Sequence, residues 1–186
     1  MTRRSLLAII MLSIVILACS IFVGGPAYPD TSIPVSTDAQ KSLQADVEQA
    51  ISEGAQTGTI TLHITESQIT SYLASKLDEQ ANPVVTDPQV LLRDGEMLVF
   101  GKAQSGIFTA NISITTRVSL DENGQPKIEI TRTDFGPLPA PQRINDSISS
   151  LVREMFTGSL GPVATGFRLD SISIADGVMV VSGHIK

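Results

Sequence analysis

The 186-residue chain, of 19.8 kDa and 42% hydrophobic residues, suits one domain with a real core plus an appendage, and it excludes a disordered polymer. Thirteen basic against nineteen acidic residues leave a net charge of −6 and a pI near 4.8, so the Lys/Arg surplus that neutralises phosphates is missing and a general nucleic-acid binder is excluded. One cysteine, Cys19, and two histidines, His63 and His184, are too few for an internal disulfide, a multi-cysteine zinc site or a multi-histidine metal site, so neither metal nor cofactor is expected.

Leu6 to Val23 is an apolar run broken only by Ser13, Cys19 and Ser20. As a helix it would span roughly 27 Å, close to the hydrocarbon thickness of a bilayer. Arg3 and Arg4 precede it and no Lys or Arg follows until Lys41, so the positive-inside rule places residues 1–4 in the cytoplasm and the remainder outside. The expected organisation is a signal anchor over 1–27, a linker over 28–36 and an extracytoplasmic domain over 37–186, single-pass in the cytoplasmic membrane and held there through residues 6–23. Two other fates fit. Gly25-Pro26-Ala27 offers small residues for cleavage, and Ile16-Leu17-Ala18-Cys19 is like a bacterial lipobox, which makes Cys19 a candidate lipidation position. The plain reading of Cys19 is a small apolar residue inside a membrane helix.

Tyr28 to Val35 carries two prolines and no periodicity, as an extended linker does. Thr37 can then cap a helix, with Gln40 closing the box and Leu43, Val47, Ala50 and Ile51 on one face until Gly54. Gly58 to Ile64 alternates as a half-buried strand with His63 outward. Thr65-Glu66-Ser67-Gln68 is a second capping box, opening a helix with Ile69, Tyr72, Leu73 and Leu77 on its core face. Beyond it, Asp94-Gly95, Asn123-Gly124 and Asp176-Gly177 predict tight hairpins. The expected strands are 89–93, 96–104, 107–120 and 126–135, an antiparallel meander with Gln104-Ser105-Gly106 as its middle turn. The stretch Gly136-Pro137-Leu138-Pro139-Ala140-Pro141 stiffens the connection to a helix whose stripe is Ile144, Ile148, Leu151, Val152, Met155 and Phe156, and a hairpin of 168–175 and 178–185 closes the chain. The fold expected is α+β: a curved antiparallel sheet, meander plus C-terminal hairpin, wrapped on a long amphipathic helix.

Four segments, Leu62-His63-Ile64-Thr65-Glu66-Ser67-Gln68-Ile69-Thr70-Ser71-Tyr72-Leu73, Pro88-Gln89-Val90-Leu91-Leu92-Arg93-Asp94-Gly95, Asp134-Phe135-Gly136-Pro137-Leu138-Pro139 and Ile174-Ala175-Asp176-Gly177, resemble the YpmS-like family of membrane-anchored bacterial proteins over roughly residues 37 to 186. None is a catalytic signature; each is a cap, a turn or a stiff connection. In layout the chain is similar, more distantly, to LmeA-like and TULIP-type lipid-binding domains, and that resemblance implies a bent sheet holding a long helix over an apolar groove.

No enzyme is expected. Gly158-Ser159-Leu160-Gly161 is one residue short of a nucleophile elbow and follows a helix, where a helix end explains it. Asp94, Asp121, Glu122 and Asp176 lie in turns, and His184 has no second histidine in its segment. An apolar-ligand site needs a concave aliphatic lining with few polar groups. Its candidates are Val99, Ile112, Ile114, Val118, Ile128 and Ile130 of the covered sheet face, opposed by Ile148, Leu151, Met155 and Phe156 of the helix. The competing reading is that these residues close on one another as a dry core. The function expected is non-catalytic binding of a lipid or other apolar ligand by a membrane-anchored extracytoplasmic domain; the alternative, with a solid core, is a cell-envelope protein-interaction or structural module using the polar face of strand 107–120, whose only charge is Arg117.

Overall fold

The computed structural model describes residues 20–137 and 142–186. Most of the apolar run, Cys19 and residues 138–141 lie outside them. No helix among the described residues is long and apolar enough to cross a membrane.

Helix α1 (Thr37–Thr57) starts at Ser36, whose hydroxyl accepts from the amides of Asp38 and Ala39 at 3.1 and 3.4 Å. The cap is one residue earlier than expected. Gln40 closes no box, because its side-chain amide is drawn to Ser75 Oγ, 3.2 Å away on the next helix. The helix runs on through Gly54, where the Phe167 ring occupies the space a side chain would need, and ends at Gly58 with φ +81°. Strand β2 (Thr59–Thr65) alternates as expected, with Ile60, Leu62 and Ile64 buried and His63 exposed. Thr65 then caps α2 (Glu66–Asp78) reciprocally: the Gln68 amide donates to Thr65 Oγ1 at 3.3 Å and the Thr65 amide to Gln68 Oε1 at 2.9 Å. The Gln68 side-chain amide also donates to Asp46 Oδ2 at 2.6 Å and Ser42 Oγ at 3.0 Å, so the cap ties α2 to α1.

The meander follows as β3 (Val85–Arg93), β4 (Glu96–Ser105), β5 (Phe108–Leu120) and β6 (Pro126–Asp134). β3 begins four residues before the expected strand because a bulge, Asp87 and Pro88 against Gly101, lets the proline sit in the sheet without a ladder donor. Asp94-Gly95 and Asp176-Gly177 are two-residue turns with positive φ at both positions, the type I′ geometry that matches strand twist. The middle turn is Gly106-Ile107, not Gln104-Ser105-Gly106; only Gly106 has positive φ (+62°), the type II′ pattern. Asn123-Gly124 makes no tight hairpin. It belongs to a five-residue loop, Asp121–Gln125, closed by the Asp121 carboxylate, which accepts from the amides of Asn123 and Gln125, each at 2.8 Å.

A second correction concerns the C-terminal hairpin, β7 (Phe167–Ala175) and β8 (Val178–Ile185). It does not extend the meander: β8 pairs with β2 along its length, making a separate three-stranded sheet, β2-β8-β7. The two sheets are stitched at their turns, Gly95 N donating to Ile174 O and Gly177 N to Leu92 O, each at 3.0 Å. Helix α3 (Gln142–Thr157), followed by the short α4 (Gly161–Gly166), lies on the core with Ile144, Ile148, Leu151, Val152, Met155 and Phe156 buried, the full stripe expected. One continuous core draws on both sheets and on α1, α2 and α3. The architecture is α+β, curled largely antiparallel sheets with three principal helices.

Residues 20–36 are a strap rather than a free linker. Strand β1 (Ile21–Phe22) pairs in parallel with β5, so the last residues of the apolar run, 20–23, are extended and not helical. The start of β5, which β6 leaves unpaired, is an open edge that this segment covers: Ile21 N donates to Ile107 O at 2.7 Å, Val23 N to Thr109 O at 2.9 Å and Asn111 N to Gly24 O at 2.9 Å. Gly25 passes so close to Asn111 that no β-carbon would fit. The strap then crosses the sheet. Tyr28 packs its ring on Phe100 and donates its hydroxyl to Asp87 O, while Gln89 grips Ile33 through both backbone groups, accepting at 2.6 Å and donating at 3.1 Å. Thr109, Asn111, Ser113 and Thr115, expected on a wet face, are consequently half-buried.

Candidate functional site

Alternation along β5 sends Ile112, Ile114 and Val118 inward, and register supplies their neighbours: Val99 opposite Ile114, Ile128 opposite Val118 and Ile130 opposite Thr116. Thr116, the polar member of this face, is fully buried and donates its hydroxyl to Met97 O at 3.1 Å. Helix α3 lowers Ile148, Leu151, Met155 and Phe156 onto the same core. All ten residues expected to line an apolar site therefore come together. They are not equally buried. Val99, Ile112, Ile114, Val118, Ile148, Leu151, Met155 and Phe156 are buried against each other and their neighbours, as a dry core is.

The exceptions are Ile128 and Ile130. No residue of β6 is fully buried, because β6 lies at the edge of the sheet and α3 covers its inner face incompletely. Beside Ile128 and Phe156 this leaves a cleft of about 230 Å³, walled by Gln125 and Pro126 on one side and by Arg153 and Gly161 on the other. It is smaller than the roughly 300–1,000 Å³ of drug-sized ligand sites. Arg153 is the one charged residue in its described lining. Two hollows of about 340 Å³ flank α1 and are walled mainly by polar side chains, one holding Ser36, Ser71 and Ser75, the other Asp46, Glu53 and His63.

The residues set aside as catalytic candidates occupy structural places. Ser159 borders a small hollow with Tyr72 and Lys76, and His184 Nδ1 lies 2.9 Å from Asp170 Oδ2 on an exposed strand pair. Asp94 and Asp176 hold turns. Among the described residues no group of three or more His, Cys, Asp or Glu side chains could hold a metal ion. One polar junction beside α3 was not foreseen: Lys76 of α2 bridges Glu79 at 3.1 Å and Glu154 of α3 at 3.2 Å, and these bonds push its ammonium above the usual lysine range. The i, i+3 pair is visible in sequence; the bond to Glu154 is not.

Both tyrosines are held protonated beyond their ordinary pKa of 10.0, Tyr28 by burial and then by Asp87, Tyr72 by burial and then chiefly by Glu154. A folded-state pKa above the unfolded one contributes stability that is complete below about pH 10 and is lost as pH rises through the folded value. Absorbance at 295 nm should therefore rise later than for free tyrosine, the Tyr28 share of it appearing only together with unfolding. A rise near pH 10 with native circular dichroism would contradict this placement of the two rings.

No family model matches the chain, and no curated protein matches it. Among solved structures, a crystal structure of lipopolysaccharide binding protein matches at 10% identity with a TM-score of 0.21, over 76% of this chain and 46% of that one. The chain thus spans less than half the length of that protein. A likeness at this level transfers neither fold nor function.

Proposed function

We propose that this chain is a membrane-anchored, extracytoplasmic, non-catalytic domain of the bacterial cell envelope that binds an apolar ligand, such as a lipid acyl chain, in the cleft between β6 and α3. The observation that carries the reading is the incomplete cover of β6, which leaves Ile128 and Ile130 half-buried and opens a cleft between Ile128 and Phe156. Arg153 in the lining suits an anionic head on such a ligand. Retention of the N-terminal run is supported by the strap, since cleavage after Ala27 would strip β5 of its partners at Ile107, Thr109 and Asn111. The resemblance to YpmS-like membrane-anchored proteins supports the same placement.

Solvent extraction of the purified full chain, with mass spectrometry of the extract, should find a bound lipid, and a fluorescent fatty acid should be taken up. Ile128→Arg places a charge in the apolar wall and should weaken that uptake about tenfold or more. Protein that is lipid-free and takes up no probe ends the reading. A second reading, an interaction module with a solid interior, is favoured by the burial of the other eight expected residues, of which Phe156 alone also borders the cleft, and that negative result would select it.

A further inference from the structure

We propose that the β4–β5 hairpin tip, together with β1, seats in the interfacial layer of the lipid bilayer and so fixes the orientation of the domain on the membrane. Of the six large apolar side chains exposed among the described residues, four gather at this one end of the sheet: Ile21 (49% exposed), Phe22 (59%), Ile107 (54%) and Phe108 (43%). Parallel register sets Ile21 beside Phe108, within one strand spacing of about 4.8 Å. Successive side chains of a strand point to opposite faces, so Ile21 and Phe22 carry the apolar surface round the sheet edge instead of leaving it on one side. Scattered single hydrophobics need no explanation, whereas four converging on a turn do.

Lipid is the occupant because of what adjoins the patch. The N-terminal chain outside the described residues ends at position 19, one residue before the strap begins, and its residues 6–19 are uncharged and, Ser13 apart, apolar. The hydrogen bonds at Ile21, Val23 and Asn111 bind that exit directly to the hairpin, so a bilayer reached by the run also meets Ile107 and Phe108. Charge agrees. Neither 5–29 nor 103–116 contains an acidic or basic residue, although the chain beyond Arg4 has eleven basic against nineteen acidic residues, a net −8. An acidic domain is repelled by anionic headgroups, and an uncharged tip with two aromatic rings is the part of it that can enter the interface. The inference rests on the anchored reading above and adds the surface that contacts the membrane.

The chain has no tryptophan, so Phe108→Trp provides a single tryptophan, excited at 295 nm apart from the two tyrosines, in the full-length protein. Reconstituted in phosphatidylcholine/phosphatidylglycerol vesicles, it should emit at short wavelength and lose roughly half of its intensity or more with brominated phosphatidylcholine, as interfacial aromatics do. Glu122→Trp, in the loop at the opposite end of β5, should emit as in water and stay unquenched. Phe108→Trp emission that is water-like in protein that floats with the vesicles overturns the proposal and leaves the anchor standing. A short-wavelength emission without quenching overturns it in favour of a protein covering the tip, such as a second copy. Protein that does not float overturns the anchor and the proposal together.

Discussion

Gly183→Ala is expected to cost about 3 kcal/mol of stability, read as a lowered denaturation midpoint with an unchanged slope. Gly183 sits in β8, the middle strand of its sheet, opposite Ile60 on one side and Leu169 on the other. A β-carbon there would stand 2.5 Å from the Arg168 carbonyl oxygen and 3.1 Å from Leu169 Cα. Both obstacles are backbone, in a ladder already irregular between Leu169 and Ser171, so neither can turn aside as a side-chain end could. Gly166→Ala is the control. Nothing lies within 4 Å of its β-carbon position, and the substitution should be neutral or stabilising by a few tenths of a kcal/mol. Equal effects at the two glycines would refute the close approach at 183.

Ile148→Ala should cost about 3–4 kcal/mol, and Ile128→Ala only about 1 kcal/mol. Ile148 is fully buried on the central face of α3, and its loss leaves a cavity that packed neighbours cannot fill. Ile128 is half-buried on β6 and already borders open space. The ratio bears on function. If α3 covers a ligand groove in the interior, truncating Ile148 enlarges a space that exists and costs little; if the interior is closed, the full cavity penalty appears. A loss below about 1 kcal/mol at Ile148 would move the ligand site from the β6 cleft to the interior.

Much of the local structure is legible in particular residues. Thr65 and Gln68 cap α2 because both partners lie within one turn, and Asp94-Gly95 and Asp176-Gly177 turn tightly because their φ values are a property of those two residues. The stripe of α3 and the inward set of β5 follow from periodicity. The candidate site was legible as a set of residues and not as a space: the same alternation describes a closed core and a groove, and only the half-cover of β6 separates Ile128 and Ile130 from the other eight.

What the amino-acid sequence determined by itself is what short-range chemistry dictates: helix caps, the two Asp-Gly turns, strand alternation and a run of residues without charge. Tertiary structure alone decided the partners. Period two tells which face of β8 is apolar but not that β2 will lie beside it, and hydropathy counts Ile21 and Phe22 into an apolar run although the open edge of β5 draws them out as a strand. The strap is the clearest case. Gln89 reaches Ile33 across 56 positions and Asn111 reaches Pro26 across 85, contacts that no local pattern encodes because they satisfy backbone groups whose proximity exists only after the sheet has formed.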